Sequence, residues 1–182
     1  MKPIYLLIAL ISFLFIQDDN FVLWKSNSRL AWADFKGSPN TSSSFKAQTN
    51  SQIKTSVATK GNQIIITITT FFDKSTSWTK DQNSKTLLAH EQLHFDIVEL
   101  WARKFRQQLQ GKTFSVKIFQ GKLNDIQNTI YKQSSEMQNT YDTETKHSEV
   151  TSAQQKWQTK IATELQKLNT FSNSAVTCTV TK

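Results

Sequence analysis

The stretch SKTLLAHEQLHFDIVELWARKFRQQLQ, residues 84–110, decides how the rest of the chain is read. It contains no Gly or Pro and is rich in Leu, Ala, Glu, Gln, Lys and Arg, the residues that lose least on entering a helix. Ser84 is suited to cap its N-terminus and Gly111 to follow its last turn. The expectation is a helix of about 26 residues, roughly 39 Å long. Leu87, His90, His94, Ile97, Val98, Trp101 and Phe105 fall on one stripe at 3.6-residue spacing.

Two histidines, His90 and His94, therefore stand one turn apart on the same side, with Glu91 directly after the first. Both imidazoles can address one metal ion. Glu91, about 100° further round the helix, can reach a water on that ion without being a ligand itself. Zinc brings the pKa of such a water to about 7, and a carboxylate then takes its proton as attack begins. This is how the H-E-x-x-H pattern of metallopeptidases works. The alternative is a pair of half-buried helix histidines with backbone or water partners. Two imidazoles on the apolar side are costly to satisfy without a shared partner, which favours the metal.

A catalytic zinc needs a third protein ligand and leaves its fourth position to water. The metzincin extension would need glycine at position 97 and histidine at position 100, and the chain has Ile97 and Leu100. Asp96 and Glu99 point away from the His94 side and serve as outer partners or surface charges. The third ligand must come from downstream, where NTYDTETKHSE (residues 139–149) carries His147, the last of three histidines. Glu144 is the runner-up, in helical register with Met137 and Tyr141; Asp142, Glu136 and Glu149 also compete. The phenol of Tyr141 could donate to a developing oxyanion, or the residue could be a helix-face aromatic in the core.

The flanking sequence places this helix. Residues 51–59 alternate Ile53, Thr55, Val57, and residues 63–72 (QIIITITTFF) are β-branched and aromatic. With turn chemistry at 60–62 they predict an antiparallel hairpin. FVLWKSNSRLAWADFKGSP (21–39) reads as a short strand or extended segment, and residues 38–50 as a polar loop. A second helix is expected from Lys122 towards Asn139 and a third from Val150 to Leu168, with a polar segment between them. The tail SAVTCTVTK (174–182) reads as an edge strand or disorder. Trp78 and Trp101 read as core. Strands first and helices after them indicate an α+β fold.

The chain of 182 residues suits one domain, over residues 20–182. Residues 1–19 read as a signal peptide or an uncleaved N-terminal anchor. Lys2 precedes an apolar run from Ile4 to Ile16, too short to span a bilayer comfortably, and no small-residue cleavage pair precedes Gln17. The destination is secreted, periplasmic or cell envelope, with membrane attachment only through that segment. The net charge of +8 comes from 19 Lys and 3 Arg scattered singly. No clustered arginines with interleaved aromatics appear, so nucleic acid is not expected as a partner. Cys178 is the one cysteine, which rules out an intramolecular disulfide and a cysteine-based zinc site.

Three segments resemble a family of uncharacterised bacterial exported proteins classed as predicted secreted zinc-dependent proteases: LAWADFKGSP (30–39), LLAHEQLHFDIVE (87–99) and YDTETKHSEVTSAQQKW (141–157). His90, Glu91, Gln92, His94, Phe95 and Asp96 match that family's H-E-Q-x-H-F-D. Tyr141, Asp142, Thr145 and His147 match its Y-D-x-x-T-x-H-G, with Ser148 where the pattern has glycine. The resemblance implies a zincin-like fold and favours His147 as third ligand of Zn2+. The expectation is a peptidase acting on a peptide or protein outside the cytoplasm, with Glu91 as general base. The alternative is a non-catalytic envelope module with a structural zinc or none.

Overall fold

Strand β4, Gln63–Asp73, organises the sheet. In the computed structural model, which describes residues 19–181, its residues alternate strictly. Ile64, Ile66, Ile68, Thr70 and Phe72 turn inward and are buried, as the pleat requires. It pairs antiparallel along its whole length with β3, Ser51–Lys60, through a two-residue turn at Gly61 and Asn62. Gly61 has φ +62°, a conformation that costs glycine little. Its other edge is shared. Strand β1, Phe21–Leu23, pairs with residues 71–73, and β7, Ala175–Thr181, pairs with residues 63–67. Strand β6, Thr113–Ser115, then joins β7 in parallel.

Helix α1, Lys85–Leu109, lies across the inner face of this sheet. Its start and end fall where the sequence indicates. Ser84 Oγ accepts the Leu87 amide at 3.1 Å, and Gly111 takes φ +71° beyond the last turn. The single-stripe expectation is corrected: α1 is buried nearly all round. Ile97, Leu100, Ala102, Phe105 and Leu109 have no exposed surface, and Leu93, Phe95 and Trp101 are nearly as enclosed. Sheet, α2 (Val116–Thr145) and α3 (Thr151–Lys167) each claim a side of it. At roughly 1.5–3 kcal/mol per large buried side chain, this helix supplies a major part of the core.

Three further expectations are revised. Helix α2 runs 30 residues rather than ending near Asn139, so the polar segment is helical to Thr145. Tyr141 and Thr145, one turn apart, are completely buried, and packing there overrides the weak propensity of the surrounding Asn, Thr and Asp. The C-terminal strand is no edge: β7 sits between β4 and β6. The polar loop contains strand β2, Ala47–Gln48, paired with β5, Trp78–Thr79. Trp78 and Trp101 are buried, as expected of core residues. The expected N-terminal signal or anchor lies outside the described residues but for Asp19.

Candidate metal centre

One turn of α1 looks two ways. On one side, Gln92 Oε1 accepts the Leu30 amide at 2.8 Å, while Gln92 Nε2 donates to Asp96 at 2.9 Å. Asp96 also accepts from Trp24 Nε1 at 2.7 Å. Phe95 packs with Leu30, Phe35 and Phe72 in a small apolar cluster. These residues clamp the N-terminal segment onto the helix. Burial raises the Asp96 carboxyl above its ordinary pKa, and the bonds from Trp24 and Gln92 only partly oppose it. Glu99 is likewise not a surface charge. It accepts from Arg103 Nε at 3.0 Å, Arg106 at 3.0 Å and Thr70 at 2.8 Å, all within the core.

On the other side stand His90, Glu91 and His94. Nε2 of His90 and Nε2 of His94 are 3.1 Å apart. Their outer nitrogens are anchored. His90 Nδ1 meets Gln154 Oε1 of α3 at 3.2 Å, and His94 Nδ1 meets Gln138 Oε1 of α2. Gln138 Nε2 donates back to the His94 carbonyl at 3.0 Å, which fixes the amide's orientation. A glutamine oxygen can only accept, so each Nδ1 carries a proton, and Nε2 is the nitrogen of each ring left to face inward.

His147 reaches the same cleft from beyond the end of α2. Lys146, His147 and Ser148 have φ of +46°, +51° and +79° in succession. This left-handed run reverses the chain, with the His147 amide donating to the Asp142 carbonyl at 3.1 Å. The His147 ring centroid lies 6.4 Å from that of His90 and 4.6 Å from that of Phe45. Left-handed backbone is costly for side-chain-bearing residues, and such strain gathers at functional sites.

Asp142 stands at the centre of the three rings. Its Oδ1 is 3.0 Å from Nε2 of His90, 3.0 Å from Nε2 of His94 and 3.4 Å from Nδ1 of His147. The ligand atoms of His90, Asp142 and His147 all lie within 4.8 Å of one another. Burial would raise the Asp142 carboxyl, but hydrogen bonds from His90 and His94 outweigh it and hold the group well below the usual carboxylate range. For His94, burial alone would depress the imidazole; Asp142 and the charge of Glu91 more than offset this and raise it. The donor set fits a divalent ion. Bonds of about 2.0–2.1 Å put the corners of a tetrahedron about 3.3–3.4 Å apart, close to the 3.0–3.4 Å between Asp142 Oδ1 and the three ring nitrogens.

Glu91 is buried, and it lines a cleft of about 900 Å³ together with His90, His94, Asp142 and His147. The facing wall is the chain from Ser44 to Ile53, and α2 contributes Tyr131, Ser134 and Gln138. Tyr141 lies beneath the rings, fully buried, with its ring stacked on His90 at 4.5 Å. Its hydroxyl donates to Gln154 Oε1 at 2.7 Å, and burial pushes its pKa far up. Glu144 faces elsewhere and accepts from Trp157 Nε1 at 2.7 Å, so the carboxylate beside the histidines is Asp142 and not the expected runner-up. Cys178 is buried at 3.1 Å from the Leu109 carbonyl, and burial raises its thiol pKa. Gln138 and Gln154 escape sequence reasoning. Glutamines on helix faces carry no ligand signature, and only the fold brings them to the imidazoles.

A family model described as a bacterial protein of unknown function, DUF922, matches residues 26–148, and the chain belongs to that family. No curated protein and no solved structure matches it.

Proposed function

We propose that this member of DUF922 is an exported zinc-dependent peptidase with a zincin-like active site. The observation that carries the reading is that Nε2 of His90, Nε2 of His94 and Nδ1 of His147 each lie within 3.4 Å of Asp142 Oδ1, in a large cleft that Glu91 also lines. His90, His94 and His147 are the proposed zinc ligands. Bound there, zinc would act as a Lewis acid towards water and a peptide carbonyl.

The chain's own groups divide the remaining work. Glu91 accepts the proton of the attacking water and returns it to the leaving amine. Gln138 and Gln154 hold the two helix imidazoles in the tautomer that presents Nε2. Tyr141 supports this arrangement from below through Gln154; its buried hydroxyl favours a positioning role over the oxyanion contact expected from sequence. The extended wall at residues 44–53 gives a peptide or protein substrate a surface to lie along. Export rests on the basic and apolar N-terminus.

The test is Glu91→Gln. Zinc content should stay near one per chain while peptide hydrolysis disappears; equal hydrolysis by the variant refutes the role of Glu91.

One observation favours a second reading, a non-catalytic envelope module with structural zinc. Asp142 Oδ1 supplies a fourth protein donor, and four protein ligands typify structural sites. Under that reading, chelation unfolds the domain rather than only silencing it.

A further inference from the structure

We propose that Asp142 is itself a metal ligand, the fourth protein donor of the resting centre, and that its side chain is the one that leaves to open the site. The inference rests on the metal-site reading above, and it concerns which atoms fill the coordination sphere.

The argument begins with which nitrogens Asp142 touches. A carboxylate that merely orients a metal-bound histidine takes the outer ring N–H, away from the ion. Here those outer positions on His90 and His94 are already held by Gln154 and Gln138. Asp142 Oδ1 instead lies 3.0 Å from each inner Nε2 and 3.4 Å from His147 Nδ1. It shares the side of the rings that a cation would occupy. An anionic oxygen at that distance from three nitrogens becomes a ligand as soon as a divalent ion enters among them, since carboxylate and imidazole are both ordinary zinc donors.

Position along the chain supports a movable role. The four donors grade from inside to outside: the side chains of His90 and His94 are 2% and 14% exposed, those of Asp142 and His147 28% and 47%. His147 is tied to its place by a backbone reversal, whereas Asp142 sits on the final turns of α2. Rotation about its own side-chain bonds moves Oδ1 towards the cleft without disturbing the helix. The corner it vacates faces the cleft, where water and substrate arrive. The resting centre is therefore closed by a carboxylate.

The experiment replaces zinc by Co2+ in the full chain and records the visible ligand-field spectrum from acid to alkaline pH, alongside the dissociation constant for the metal. In the wild type, with four protein donors, the spectrum should hold its shape across the pH range. In Asp142→Asn and Asp142→Ala a water takes the corner, so the spectrum should change with pH as that water ionises. Affinity should weaken by at least about tenfold. Circular dichroism of each variant checks the fold, and the isosteric Asn variant covers a failure of the Ala variant. A wild-type spectrum that titrates like the variants', or variants with unchanged affinity and spectrum, overturns the proposal. These readouts need no hydrolysis. Failure of the peptidase reading would show instead as a normal Co2+ spectrum in a protein that cuts nothing.

Discussion

Gln154 Oε1 stands 3.2 Å from Nδ1 of His90 and accepts the Tyr141 hydroxyl at 2.7 Å. One amide oxygen on α3 thus sets the tautomer of a histidine on α1 and the position of a phenol on α2. Replacing Gln154 by Leu removes the partner of the His90 Nδ1 and leaves the buried Tyr141 hydroxyl with only its long 3.4 Å bond to the His90 carbonyl. Zinc affinity should fall about 10- to 100-fold, and stability by about 1–3 kcal/mol. Competition with a chromophoric chelator and urea denaturation measure the two effects separately.

Ser148 holds φ +79° where the resembled pattern has glycine. Ser148→Gly should relieve left-handed strain while adding some freedom to the unfolded chain. The net expectation is a gain of roughly 0.5–1 kcal/mol, read as a higher denaturation midpoint with zinc affinity unchanged or improved.

Glu99 ties Arg103 and Arg106 together, and Arg106 in turn caps the carbonyls of Ile68 at 2.7 Å and Phe171 at 3.0 Å. Glu99→Leu strands two buried guanidinium groups. The expected loss is about 3–5 kcal/mol, measured by chemical denaturation, whereas Glu136→Leu on the exposed face of α2 should cost almost nothing.

His94 and Asp142 give the metal-free protein a pH signature. The Asp142 pKa is lowered, so its contribution is present above the ordinary 3.8 and is lost as pH falls through the folded value. The His94 pKa is raised, so its contribution is complete below the ordinary 6.5 and is lost as pH rises through the folded value. The apo protein should gain most from the pair between those two limits. Metal binding must expel the His94 proton, so zinc affinity should climb with pH across the same histidine range. The gap between holo and apo melting temperatures should be wider at about pH 7.5 than at about pH 5.5; a gap that narrows contradicts the assignment.

The parts legible from sequence were those written in local periodicity. Ser84 and Gly111 bracket α1 because capping and left-handed conformations are properties of single residues. The β3–β4 hairpin follows from alternation and one Gly-Asn turn. His90 and His94 meet because helical spacing brings them together. What stayed hidden depends on distant partners. The polar stretch after Asn139 is helical because Tyr141 and Thr145 find a core supplied by α1 and α3. Strand β7 is internal because β6, a three-residue segment with no strand signature, lies on its far side. Asp142 outranks Glu144 at the site because α2 turns Glu144 towards Trp157, an orientation set by how the two helices pack.

Strand β7 also governs when the sheet can close. The segment that zips β4 to β6 spans residues 175–181, and its partners on β4 lie more than a hundred positions earlier. During synthesis the β3–β4 hairpin and the histidine-bearing helix emerge long before it, so the sheet waits for residues 175–181. Pairings that distant in sequence are slow to form. A chain held up short of residue 175 would leave Ile64 and Ile66 on an unguarded edge, open to pairing with another strand.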